Sequence, residues 1–204
     1  MTDWSVIVGR RLKTEDREKR RKKILKSAER LFAKLGFHST EVELIAKAAG
    51  VSKGSVYNYF ESKADILFSV IEDGLDELNT RMREGTGTIN GSTEKLKKGI
   101  EIYIEHLENN RQLFKILVGE HLHIAEFKSR YYKNLFSRTE HLERLIQEGI
   151  NNGEMRKIDP YIAATCLNGM IDFLFFREIV SGRKYSAKDK AKEVTELYLE
   201  GMLA

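Results

Sequence analysis

The sequence predicts an all-α protein of about nine helices in two domains. Two observations carry that expectation: a single proline, Pro160, in 204 residues, and Leu, Ile, Ala, Lys and Glu recurring at intervals of three and four. A hydrophobic content of 41% is enough to bury a real core.

Composition also excludes several classes. No stretch approaches the roughly 18 to 20 apolar residues needed to cross a bilayer. The N-terminus MTDWSVIVGRRLK carries its basic residues after its short apolar run, the reverse of a secretory signal. The expectation is a cytoplasmic protein with no membrane partner. The only cysteine, Cys166, can form neither an internal disulfide nor a zinc site alone, and its apolar surroundings predict a buried thiol. The net charge of +4 is unevenly divided. Residues 1–62 hold 14 of the 35 Lys and Arg against 8 of the 31 Asp and Glu, a net of +6, which leaves 21 against 23, a net of −2, for the rest. A basic module joined to one that is not suggests an N-terminal half that meets a polyanion.

Residues 1–16 have no trustworthy helical period and read as a flexible basic arm. From Arg17 a helix is expected, with Ile24, Ala28, Leu31, Phe32 and Leu35 on one face and Gly36 as its stop. It opens with Lys19-Arg20-Arg21-Lys22-Lys23, a run unfavourable to the helix dipole. A basic arm reaching a DNA groove and simple solubility are the two readings. Val42, Ile45, Ala46 and Ala49 define a second helix, with Thr40 and Glu43 at the spacing of a capping box. Gly50 supplies the left-handed turn and Ser52 caps a third helix, Lys53 to about Tyr59. That helix is too short to stand alone, so Val56 and Phe60 must pin it. Lys53, Gly54, Ser55, Tyr57, Asn58 and Tyr59 remain outward, a polar and flat face that suits close approach to another backbone. Tyr57 and Tyr59 as plain packing residues is the competing reading, but two positions apart on a helix at most one can face the core.

The residues Gly36-Phe37, Thr40, Val42, Ile45-Ala46, Ala49-Gly50-Val51-Ser52, Gly54, Val56-Tyr57, Tyr59-Phe60 and Ser62-Lys63 resemble the signature of the tetracycline-repressor (TetR) family of bacterial transcription regulators. The match runs from about Ile24 to Leu67, roughly a fifth of the chain, and its V-Y-x-Y-F-x-x-K ending is not shared by generic helix-turn-helix units. The resemblance implies a DNA-binding domain over residues 17–62 and a helical ligand-binding and dimerisation domain over 63–204. It implies a homodimer on a near-palindromic double-stranded DNA operator. Lys53, Gly54, Ser55 and Asn58 would lie near base edges, and Thr40, Ser52, Tyr57, Tyr59 and Lys63 would hold phosphates. Hydroxyls at helix starts and a lysine suit that division. Glu41 departs from the family pattern, and its carboxylate excludes it from the contacts.

After a possible Ser62 cap, Ile66, Leu67, Val70, Ile71, Leu75, Leu78 and Met82 mark a long amphipathic helix, the natural lever between the two domains. Gly85 to Ser92 breaks the pattern without the ending of a phosphate-binding loop. Helices follow over Leu96 to Leu107, Leu113 to Val118 and Phe127 to Asn152. Pro160 then starts a nearly all-apolar helix, Tyr161 to Val180, and Ala187 to Leu203 forms the last. An all-apolar helix must be covered on every side. Small residues predict that it and the last helix pair with their two-fold copies in a four-helix dimer interface, with Ala163, Leu167, Met170, Val194, Tyr198, Gly201 and Met202 in it.

Aromatics in the second half are either ordinary core or the wall of an apolar pocket. The candidate lining is Phe68, Tyr103, Leu107, Phe114, Leu117, Tyr132, Phe136, Asp172, Phe173 and Phe176, for a small effector of apolar, acyl-chain-like character. Asp172 needs a partner; Arg177 reaches it only from another turn or subunit, leaving a ligand group or a dimer contact as alternatives. His121 and His123, two apart, fall on different helix faces and do not make a metal site. No nucleophile–base pair, H-E-x-x-H or glycine-rich phosphate motif is present, so no enzyme activity, cofactor or metal is expected. A ligand-responsive repressor is the leading function, with a non-DNA helical interaction or scaffold protein as the first alternative and a helical-bundle enzyme as the second.

Overall fold

A computed structural model describes residues 4–111, 113–115 and 139–202, with side chains from Asp16 onward. Among these residues the regular elements are helices: α1 (Trp4–Leu35), α2 (Val42–Ala49), α3 (Lys53–Tyr57), α4 (Lys63–Thr86), α5 (Ser92–Asn109), α6 (residues 139–151), α7 (Pro160–Ser181) and α8 (Ala187–Glu200). The backbone is helical from Trp4, where an irregular arm was expected. Leu, Arg, Lys and Glu sustain a helix by propensity without the apolar stripe that a periodicity reading requires. Two units divide the chain, residues 1–73 and 74–204. The division therefore falls inside α4 and not at its start, because Ile66, Leu67 and Val70 in the first turns of α4 are buried as part of the N-terminal unit.

In the first unit, Ile24, Ala28 and Phe32 of α1, Val42, Ile45 and Ala49 of α2, and Val56 and Phe60 at α3 are all buried. Each of the Val, Ile and Phe side chains among them contributes about 1.5–3 kcal/mol of transfer free energy. Gly50 closes α2 at φ +67°, where a side chain would be strained. Ser52 caps α3, its hydroxyl accepting from the Ser55 N–H at 3.1 Å.

The expected capping box at Thr40 and Glu43 does not form. Thr40 is fully buried, and its hydroxyl donates to the Gly36 carbonyl at 2.7 Å, with the Leu31 carbonyl at 3.3 Å. It closes the end of α1 instead of opening α2, which begins after Glu41 without a side-chain cap. A reciprocal cap does form at α4. Asp65 N–H donates to Ser62 Oγ at 3.0 Å, and Glu61 N–H donates back to Asp65 Oδ2 at 3.0 Å.

In the second unit α8 packs on α5 and α7 around Leu78, Ile100, Ile104, Ile146, Leu167, Ile171 and Phe175. Asp159 caps α7 by accepting from the Tyr161 N–H at 2.9 Å, with Pro160 in the first turn. Tyr198 donates its buried hydroxyl to the Ala163 carbonyl at 2.8 Å and ties α8 to α7.

A charged cluster lies within this apolar packing. Glu178 accepts from Lys190 at 2.9 Å and from Arg111 at 3.0 Å, and the Tyr185 N–H donates to its other oxygen at 3.1 Å. Glu108 completes the set by pairing with both Arg111 and Lys190. Both cations sit over the Phe175 ring, Lys190 at 4.2 Å and Arg111 at 5.2 Å. Burial alone would raise the Glu178 pKa, but the hydrogen bonds from Lys190, Arg111 and Tyr185 outweigh it and hold it below its ordinary value. A carboxylate whose pKa is depressed on folding contributes stability above its unfolded pKa and loses it as pH falls through the folded one. Urea denaturation should therefore show stability falling below about pH 4.3, the ordinary glutamate value. In Glu178→Gln that acid-dependent part of the loss should shrink, while neutral-pH stability drops because two cations lose their shared partner.

Candidate nucleic-acid interface and ligand cavity

The outward side of α3 carries Lys53, Gly54, Tyr57 and Asn58, all exposed, with Ser55 half-buried. Lys53 Nζ rests on Glu43 Oε1 at 2.9 Å, a hydrogen bond that raises its pKa. A Cβ built on Gly54 would meet nothing nearer than Ser52 Oγ at 4.0 Å, so packing inside the chain does not require a glycine there. Tyr57 is 48% exposed and Tyr59 half-buried, so neither is a core residue. Ser52 is exposed, and its hydroxyl also meets Ser55 Oγ at 2.8 Å. Lys63 lies 4.6 Å from the Phe37 ring centroid and donates to the Phe37 and His38 carbonyls at 2.9 and 3.1 Å. Two of its three N–H donors thus hold the loop between α1 and α2. Thr40, also expected at a phosphate, is buried with its hydroxyl donating to carbonyls at the end of α1.

Two residues outside the expected set stand beside α3. A cleft of about 260 Å³ is lined by Arg17, Arg20, Val51, Ser55, Asn58 and Tyr59. The Arg17 guanidinium lies 5.7 Å from the Tyr59 ring centroid. Arg21 turns elsewhere, 5.7 Å from the Phe60 ring and 3.5 Å from Asp73. The signal was available in the sequence, since Arg17 and Arg20 precede buried Ile24 by seven and four residues and so share its face.

A second cavity, of about 580 Å³, lies in the C-terminal unit among α4, α5, α6 and α7. Its apolar wall includes Leu78, Met82, Leu96, Ile100, Leu142 and Ile171. Of the expected lining, Tyr103 is present, and its hydroxyl donates to Asp172, which answers the question of that carboxylate's partner within one protomer. Leu107 is in the core beyond the cavity, and Phe114 meets Phe175 edge to face at 5.7 Å. Phe68 is buried in the first unit. Phe173 and Phe176 are exposed and stack on each other at 6.0 Å, outside the lining. Leu117, Tyr132 and Phe136, like His121 and His123, lie outside the described residues.

The residues expected at the dimer interface also divide differently. Ala163, Leu167, Val194, Tyr198 and Met202 belong to the protomer's own core, while Met170 and Gly201 are exposed. The outer face of α7 is instead Ile162, Cys166, Gly169, Phe173, Phe176 and Val180, all exposed and spaced alternately by four and three. Cys166 is on that face and not buried. An all-apolar helix has no hydrophobic phase from which its inner side could be read.

Among the described residues no helix is long and apolar enough to cross a membrane, and no three His, Cys, Asp or Glu side chains gather as around a metal ion.

A short capped helix after a glycine turn, pinned on two others and followed by a helical unit with an internal cavity, defines a helix-turn-helix transcription regulator with its own ligand-binding domain. Residues 24–70 match the bacterial regulatory proteins of the tetR family, and residues 90–176 match the tetracyclin repressor-like C-terminal domain. The chain belongs to the tetR family. It is 28% identical over 181 residues to the fatty acid metabolism regulator protein of Bacillus subtilis, covering 88% of this chain and 93% of that protein. The transcriptional regulator YdgC of the same organism is 32% identical over 191 residues, covering 90% and 92%. Among solved structures, the regulator FadR from Bacillus subtilis in complex with stearoyl-CoA superposes with a TM-score of 0.77 at 28% identity, covering 88% of this chain and 97% of that one.

The burial of Thr40 separates stability from DNA binding. Thr40→Ala should lower unfolding free energy by about 1–3 kcal/mol, the cost of leaving a buried carbonyl unpaired. The salt dependence of DNA affinity, measured well below the melting temperature, should not change.

Proposed function

We propose that the protein is a ligand-responsive transcriptional repressor, binding a near-palindromic operator as a homodimer and released when a small acyl-chain-like molecule enters the cavity. The observation that carries this reading is the exposed face of α3, polar throughout, with a glycine that no internal contact requires. Lys53, Gly54, Ser55 and Asn58 approach base edges. Ser52, Tyr57, Tyr59 and the remaining N–H of Lys63 meet phosphates. Arg17 and Arg20 extend that phosphate track along α1, and the cleft they line supports the assignment. Lys53 exchanges Glu43 for DNA on binding.

Homodimerisation through the outer stripe of α7 supports two-site binding, because joining two weak half-site contacts raises affinity through effective concentration. The stripe follows the period of a helix–helix seam. Regulation requires only that the effector bind more tightly to a state unfit for the operator. The continuous helix α4 supports this, since Leu78 and Met82 line the cavity and the same helix begins with Lys63 beside the DNA-reading unit. The acyl-chain character is supported by the apolar wall and by the relative solved with stearoyl-CoA.

The test is selection of duplexes from a random pool followed by affinity measurements across salt. A near-palindromic consensus with a steep salt slope is expected, and recovery of no preferred sequence would refute the reading. Each phosphate contact contributes about 0.9 to the slope of log affinity against log salt. Arg17→Gln with Arg20→Gln should therefore lower it by about 2, with base preference retained. Phe173→Asp should shift the protein from dimer to monomer in analytical ultracentrifugation and weaken operator binding at least about 100-fold, the usual scale of a lost bivalent gain. Circular dichroism should stay unchanged because Phe173 faces outward.

A further inference from the structure

We infer that the effector is an amphiphile whose head group is anionic, held by Arg83, Lys95 and Arg144 at one end of the cavity. The inference rests on the cavity being the effector site and adds the chemistry of the head. Apart from Lys63, whose ammonium is held by two carbonyls, the Lys and Arg side chains of α4, α5 and α6 fall into two sets. Those off the cavity are neutralised: Arg81 by Glu105 at 2.9 Å, Lys97 by Glu94 at 2.6 Å, and Lys98 by Glu101 at 2.9 Å. Those in the wall are not. Arg83, Lys95 and Arg144 form no ion pair among the described residues, and Arg83 touches only Thr80 Oγ1, at 3.5 Å. Glu148 is the one carboxylate in the described lining, so the wall carries three fixed cations against one anion.

Topology brings these cations to the same end. Arg83 is in the last turn of α4 and Lys95 in the first turn of α5, with only the short turn after Thr86 between the helices. The end of α6 is fastened there too, because the Thr93 N–H donates to Glu154 Oε2 at 2.9 Å, just past that helix. Arg144 lies within two turns of that end. Away from it the described wall is mainly apolar, with Leu78, Ile100, Leu142 and Ile171 beside Asn79, His141 and Asn168, and it includes Tyr103, whose hydroxyl is committed to Asp172. A cavity with its lysine and arginine side chains toward one end and a mainly apolar wall beyond suits a chain with a negatively charged head. A neutral head would leave the cations without counter-charge as the site is desolvated, and a cationic head would be repelled.

The head can be a carboxylate or a phosphate, and one set of probes separates them. Laurate, lauroyl-CoA, dodecanol and dodecyltrimethylammonium share one chain and differ in head group, and their affinities can be measured by isothermal titration calorimetry below their micelle concentrations. The expected result is that at least one of the two anions binds at least about tenfold more tightly than both the alcohol and the cation, a margin typical of a charge-assisted contact. Which anion leads identifies carboxylate or phosphate. In Arg83→Gln/Lys95→Gln/Arg144→Gln that margin should vanish while dodecanol affinity stays within about twofold, which shows an intact apolar wall. Equal binding of alcohol and anions, a preference for the cation, or a margin kept by the triple variant would overturn the inference. Operator release is read separately: anion binding without release would sink the repressor mechanism and leave the head-group assignment standing.

Discussion

A helix of five residues such as α3 has no stability of its own, because nucleating a helix costs more than so few hydrogen bonds return. Everything in the first unit follows from that constraint. Val56 and Phe60 anchor α3 from below, Ser52 satisfies its first turn, and Gly50 sets the angle at which it leaves α2. With the anchoring done by two apolar side chains, the remaining positions are released from packing. That is why Gly54, Tyr57 and Asn58 can face outward, and why the interface is polar without any buried polar group being left over.

Lys63 marks the place where this constraint meets the rest of the chain. Its ammonium holds the Phe37 and His38 carbonyls and lies over the Phe37 ring, so the first residue of α4 braces the loop between the first two helices. The same helix then runs 24 residues without interruption and supplies Leu78, Met82 and Arg83 to the cavity. One continuous helix thus contributes residues to both units, and the reciprocal cap at Ser62 and Asp65 secures its start.

The C-terminal unit combines an apolar core with a charged cluster around Phe175. Removing four ionised groups from water is costly, and geometry must compensate. Here each carboxylate meets both cations, and the cations also lie on an aromatic face. The cluster ties α5, α7 and α8 at one point through directional bonds, which apolar packing alone would leave freer to slide.

Much of this was legible in the sequence. Helix starts and stops at Gly50, Ser52 and Pro160 follow from local backbone chemistry, and the outward face of α3 follows from its length and its two anchors. Local rules failed where a side chain had two uses. Thr40 had the spacing of a cap but was taken by the end of α1, and the two bonds by which Lys63 braces a loop had no signal in local spacing. Periodicity failed where it carried no phase: α7 is apolar all round, so only packing against α8 could decide that Ala163 and Leu167 face inward and Phe173 and Phe176 outward. The sequence by itself determined the elements and the family, because turn glycines, caps and helical spacing act within a few residues. Tertiary structure alone decided which cations of the cavity wall have no ion pair among the described residues and which carboxylate Tyr103 reaches, because those contacts join residues far apart in the chain and depend on which helix faces meet.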